Sequence, residues 1–197
     1  MSAVVWSPDG KHIALVSCYG TRVEVREATT GKLVFTYLVQ THPGESGFVS
    51  AVTWSPDGKC IAWASGDVQV WDATTWKHIA TYREIPGWVT DVDWSPDGKH
   101  LALASGDVQV WDRAAGQSIF TYPGQEGGVS AIAWSPDGKH IASASKDVQV
   151  WDVPTGENVF TYPEQRNTET IIAWSPDSKR IALAYTSDKI VQIWDAP

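Results

Sequence analysis

The tetrapeptide Trp-Ser-Pro-Asp occurs five times, beginning at Trp6, Trp54, Trp94, Trp134 and Trp174, and successive copies are 48, 40, 40 and 40 residues apart. A second string, Val-Gln-Val-Trp-Asp, ends at Asp72, Asp112 and Asp152 and returns as Val191-Gln192-Ile193-Trp194-Asp195. The first copy has Val23-Glu24-Val25-Arg26-Glu27 in its place. A repeat of this length is one supersecondary unit that cannot bury its apolar face alone, so neighbouring copies must stack. Five copies, starting near Met1, Val49, Val89, Val129 and Glu169, fill residues 1–197 and predict a single domain.

Each copy reads as a series of short strands. In the second, Val49 to Trp54 is β-branched and aromatic, and Pro56-Asp57-Gly58 supplies a tight turn. Ile61 to Ser65 is a second strand, Gly66-Asp67 a two-residue hairpin loop, Val68 to Trp71 a third strand, and His78 to Tyr82 a fourth. No segment sustains a 3.6-residue apolar period, so the chain is all-β. Fourth strands are predicted at Lys32–Val39, Lys77–Glu84, Gln117–Gly124 and Glu157–Glu164, which leaves the last copy without one. That outer strand is left to a three-stranded last sheet, to further chain, or to a second chain. An unpaired edge at Ile190, Val191, Gln192, Ile193 and Trp194 would invite strand addition and self-association into a homo-oligomer.

Composition narrows the function classes. Fifteen basic against 23 acidic residues give a net charge of −8, the wrong sign for wholesale binding to nucleic acid or an anionic membrane. No apolar run approaches the roughly 18 residues of a membrane span, and Met1 to Trp6 lacks the pattern of a secretion leader. Two cysteines, Cys18 and Cys60, form no disulfide framework, and the expected location is the cytoplasm. No phosphate loop, nucleophile elbow or Cys-x-x-Cys pair is present, so no cofactor and no catalytic machinery are expected. His12, His100 and His140 fill one repeated slot, and His42 and His78 lack ligand spacing, so no metal site is expected.

A four-stranded unit of this length, with a turn after Trp-Ser-Pro-Asp and a third strand closing on Trp-Asp, resembles the WD40-repeat β-propeller family. The uniformity of the copies is similar to that of its highly regular bacterial members. The resemblance implies a ring of five twisted antiparallel blades, the last lacking its outer strand, and a non-catalytic scaffold that binds a peptide or protein on the loops around a central channel. The chain departs from the family in the Gly-His slot, which holds Gly44-Glu45, Glu84-Ile85, Gly124-Gln125 and Glu164-Gln165. Without that His, its hydrogen-bond network with a Ser, an Asp and the Trp-Asp indole is incomplete, and apolar packing between blades must hold the fold.

Nine of the 12 tryptophans belong to the two motifs and are expected to pack between blades. Trp63 is expected in the core. Trp76 replaces a repeated Gly on an outer turn, and Trp88, like Phe48 in the preceding copy, lies in the loop before a first strand. By family position, the partner-binding residues are Glu45, Phe48, Ile85, Trp88, Gln125, Gln165 and Arg166. A competing assignment rests on Asp91, Asp93 and Glu169, which interrupt first strands with carboxylates and suggest a glycan-binding or glycoside-cleaving surface.

Overall fold

The computed structural model describes residues 3–17, 21–39, 48–83, 85–122, 128–162, 170–185 and 190–197. Its strands form five sheets. The first holds β1 (Val4–Trp6), β2 (His12–Val16), β3 (Arg22–Glu27) and β4 (Leu33–Leu38); the second β5 (Ala51–Trp54), β6 (Cys60–Ser65), β7 (Asp67–Asp72) and β8 (His78–Tyr82). The third holds β9 (Asp91–Trp94), β10 (His100–Ala104), β11 (Val108–Asp112) and β12 (Gln117–Tyr122). In the fourth are β13 (Ala131–Trp134), β14 (His140–Ala144), β15 (Val148–Asp152) and β16 (Asn158–Tyr162). The fifth has β17 (Thr170–Trp174), β18 (Arg180–Tyr185) and β19 (Ile190–Asp195), three strands among the described residues. Strands neighbour one another in chain order, and the chain divides into two compact units, Met1–Val92 and Asp93–Pro197.

The repeated motif acts first on its own turn. In every copy the Ser hydroxyl donates to the Asp carboxylate, at 2.7 Å for Ser7–Asp9 and 2.6 Å for the other four pairs. The same carboxylate accepts the amide of the Lys two residues on, and the Ser oxygen accepts the amide that opens the second strand. The Ser95 hydroxyl holds the Asp97 carboxyl below the usual carboxylate range, as Ser7 does for Asp9 and Ser175 for Asp177. Trp-Ser-Pro-Asp is therefore a self-locking hairpin connection, which explains its repetition without any ligand.

Packing takes over between sheets. In the first unit Ala14, Val23 and Val25 meet Val52, Trp54, Ile61 and Trp63, with Phe35, Tyr37, Trp71 and Trp76 against them. In the second unit Ala102, Ala104, Val108 and Val110 receive Ile132, Trp134, Ile141 and Trp151. There, too, Ala131, Ala133, Ala142 and Ala144 receive Ile172, Ile181 and Leu183. Each contact sets smaller residues on one sheet against larger ones on the next. The indole N–H groups that the missing His network would have served find substitutes. Trp71 donates to Gln69 at 3.2 Å and Trp111 to Gln109 at 2.8 Å. Trp151 donates to Ser143 at 2.9 Å, so in the fourth sheet the Ser arm of that network is present.

Three expectations need correction. First, Trp6 is 60% exposed, whereas its counterparts Trp54, Trp94 and Trp134 are buried, so it does not pack as a motif tryptophan was expected to. Second, the β6–β7 connection is Gly66 alone: Ser65 pairs with Asp67, and Gly66 turns the chain with φ +87°, which a residue with a Cβ rarely adopts. Third, Val49 and Ser50 precede β5 rather than open it. Trp63 is fully buried, as expected for its place on the second strand. Each fourth strand also carries a bulge that the sequence did not announce. Val34, Ile79, Ile119 and Val159 are skipped in the pairing of β4, β8, β12 and β16 and point an exposed aliphatic group outward.

Candidate functional site

The loops preceding the first strands carry the residues that differ most between copies. Before β5, Phe48 is 48% exposed while Val49 beside it is buried. Before β9 the chain turns at Pro86-Gly87, with Gly87 in the left-handed region, and Trp88 is 40% exposed while Val89 is buried. The alternation locks each loop by its valine and leaves the aromatic ring outside. Ser50 joins the two loops: its hydroxyl donates to the Val89 carbonyl at 2.6 Å, and its amide to Ala64 at 3.0 Å. Phe48 and Trp88, 40 positions apart in sequence, thus flank one hydrogen-bonded seam within the first unit.

Ile85 is half-buried at the foot of the same turn, and Pro86 adds an exposed ring between it and Trp88. Pro86 was not singled out from the sequence, although its Pro-Gly dipeptide is a turn signal that would have placed it beside Trp88. Next to this loop Arg83 pairs with Asp67 at 3.4 Å, a charged rim to an otherwise apolar patch. In the second unit Gly128 stands in the place of Trp88. Glu45, Gln125, Gln165 and Arg166 lie outside the described residues.

Other candidates are committed to structure. Trp76 stacks on Phe35, with ring centroids 4.9 Å apart and planes within 12°, and meets the edge of Trp54. Asp91 folds back to accept the Val92 amide at 2.9 Å, and Asp93 accepts the Trp134 amide at 2.8 Å, tying β9 to β13. Glu169 lies outside the described residues. His12 stacks on Trp54 and His140 on Trp174, each reaching the tryptophan of the next copy. On β19, Val191 and Ile193 are exposed and alternate with the half-buried Gln192 and Trp194; Ile190 is part of the strand.

Comparison with known families now decides what these sheets are. Residues 156–195 match the model described as WD domain, G-beta repeat, and residues 92–175 match the Anaphase-promoting complex subunit 4 WD40 domain. Residues 1–105 match the model of Eukaryotic translation initiation factor eIF2A. The chain belongs to the WD40-repeat family. Its four four-stranded sheets and one three-stranded sheet are WD40 blades. WD40 domains are typically protein-interaction scaffolds and usually non-catalytic, which fits a surface built from apolar rings on loops. No curated protein matches this WD40 chain.

Proposed function

We propose that this WD40 chain is a cytoplasmic, non-catalytic scaffold that grips a peptide or protein partner through the first-unit patch of Phe48, Ile85, Pro86 and Trp88. One observation supports this reading above all. Two large aromatic rings stand exposed on neighbouring loops whose backbones are fixed by the Ser50–Val89 hydrogen bond, while the valines beside them are buried. Rigid aromatic anchors lose little entropy on binding and supply most of the contact energy of small interfaces. The acidic chain and the charged Arg83–Asp67 rim favour a partner with an apolar centre and basic flanks.

A peptide-display selection on the immobilised chain tests it. Sequences enriched on the wild type are expected to lose roughly tenfold or more in affinity on Phe48→Ala and Trp88→Ala chains. Both variants should keep the wild-type melting temperature, because the rings are largely outside the core. Undiminished binding by the double variant would reject the patch. A collapse in melting temperature would show that the rings serve the fold instead.

A further inference from the structure

The outer strands β4, β8, β12 and β16 share one plan and differ at their ends. Each sets a Tyr opposite the first Val of its third strand, with a Thr just before it, and each bulges at an exposed aliphatic residue. After the Tyr, the second sheet has Arg83, and the third and fourth copies continue with Pro123 and Pro163. At the other end, opposite the third-strand Trp, stand His78, Ser118 and Asn158. Charge and proline at such places keep an exposed strand edge from pairing with another chain. β4 has Leu38 and Leu33 instead, and from Leu33 to Val39 it carries no charge and no proline. Leu33, Val34 and Leu38 are 45%, 40% and 64% exposed.

The backbone of β4 is set to extend its sheet. The Val39 amide donates inward to the Thr21 carbonyl at 3.0 Å, and Tyr37 and Phe35 stand opposite Val23 and Val25. Alternate residues of an antiparallel ladder bond to the same side, so Thr36 and Leu38 direct their amides and carbonyls outward. β4 closes the order of its sheet, with no strand beyond it among the described residues. This edge lies inside the chain, which runs on into the second sheet, and every four-stranded sheet has its equivalent. What sets β4 apart is the residues along it. The nearest charges, on β3, are engaged with one another: Arg22 and Arg26 both bind Glu24, at 3.0 and 2.7 Å.

We propose that the outer edge of β4 is a homodimer interface, formed by antiparallel pairing with β4 of a second copy about a two-fold axis at Thr36. In that register Thr36 of one copy stands opposite Thr36 of the other, through the outward-facing backbone groups. Phe35 then lies opposite Tyr37, and Val34 opposite Leu38, on both sides of the axis. Ring faces ring and aliphatic faces aliphatic, which is the self-complementarity a two-fold interface demands. The edge offers a charged partner nothing to complement, and two chains of net charge −8 approach best where neither carries charge. The two first sheets thereby become one continuous sheet. The interface shares no residue with the Phe48–Trp88 patch and does not depend on it.

Light scattering on a sizing column, over a range of concentrations, tests the interface. The mass of the chain is expected to rise from 21.6 kDa toward twice that value. Leu38→Pro gives β4 the residue that follows the Tyr in the third and fourth copies, and removes an outward amide without touching the ladder to β3. It should weaken dimerisation roughly tenfold or more and leave circular dichroism and melting temperature as in the wild type. Leu38→Arg, which copies the second sheet, should do the same, while Ile119→Arg on β12 should leave the mass unchanged. With oxidised glutathione, Thr36→Cys should form a disulfide dimer, because paired Cα atoms across such a two-fold lie about 5.5 Å apart. Thr81→Cys, at the same place in the second sheet, should not. A mass of 21.6 kDa at every concentration overturns the proposal. So does association that survives both Leu38 variants, which would place the contact elsewhere, or a dimer that Thr36→Cys fails to cross-link.

Discussion

Trp76 in the first unit and Gly156 in the second occupy the same place, the last residue of the turn that follows Trp-Asp, and both hold a left-handed backbone, with φ of 57° and 73°. Each faces a phenylalanine from the preceding sheet. In the first unit Phe35 stacks flat on the Trp76 indole at 4.9 Å. In the second, Phe120 fills the space that a Cβ on Gly156 would take, with its Cζ 1.7 Å from that position. The same slot is thus closed in two ways. A ring on the turn meets a ring on the strand, or a bare backbone lets the strand's ring come in. One route accepts a strained φ to gain a stack; the other accepts a flexible residue to gain close approach. In these two copies the slot is filled, by a ring from the turn in one and by a ring from the strand in the other, whereas at Gly31 in the first copy it stands open.

The largest effect should come from putting a side chain where Phe120 already sits. Gly156→Ala is expected to destabilise the chain by about 2–4 kcal/mol, from the left-handed penalty together with displacement of the Phe120 ring. Gly31→Ala is the matched control. It has φ +70°, yet nothing lies within 4 Å of its Cβ position, so only the backbone penalty of about 1–2 kcal/mol applies. Urea unfolding of the two variants separates the terms. Equal losses would mean that Phe120 swings aside without cost and that the slot is loosely filled.

Much of this architecture is legible in the sequence because the constraint is periodic. Five turn motifs and four Trp-Asp closures locate the strands, and the absence of the Gly-His residues marks the family's hydrogen-bond network as incomplete. The substitutes are harder to foresee. Gln69 and Gln109 are ordinary polar residues on a strand, and only the geometry shows that they reach back to the following Trp. Trp76 is the sharper case. A tryptophan in place of a turn glycine resembles an exposed anchor, because the ring that covers it comes from Phe35, 41 positions earlier. Conversely, Trp6 carries the full motif yet is exposed, since a motif records what its own turn needs and says nothing of whether a neighbour covers the ring. The Phe48–Trp88 pair is half legible: each residue stands out as an interruption of the repeat, while the Ser50 hydroxyl that joins their loops does not.

A smaller effect follows at Trp76, where the two terms oppose. Trp76→Ala removes the stack on Phe35 and keeps the left-handed penalty, for an expected loss of about 2 kcal/mol. Trp76→Gly removes the same stack but relieves the backbone, so it should lose only about 1 kcal/mol. Glycine is thus expected to outperform alanine, the reverse of the usual order on a protein surface. If alanine proves the better replacement in thermal melts, the turn has relaxed out of the left-handed region and the strain account fails.

The smallest effect concerns two tyrosines at the same place in the first and third sheets. The Tyr37 hydroxyl accepts the Gln69 side-chain N–H at 3.1 Å, whereas the buried Tyr122 hydroxyl has no hydrogen-bond partner. Tyr37→Phe should therefore cost about 1 kcal/mol, and Tyr122→Phe should be neutral or slightly stabilising. Burial, with the Asp152 charge adding to it, pushes the Tyr122 phenol up to about 12. An unfolded tyrosine ionises near 10, so above that pH the unfolded chain releases its proton while the folded chain still holds it. The stability tied to that proton is complete below about 10 and drains away as the pH rises toward about 12. Phenylalanine has no proton to release. The advantage of Tyr122→Phe over the wild type should widen between urea unfolding at neutral pH and at about pH 11, while Tyr37→Phe serves as the reference. Parallel alkaline limbs for wild type and Tyr122→Phe would show that water reaches the Tyr122 hydroxyl and that its proton carries no stability.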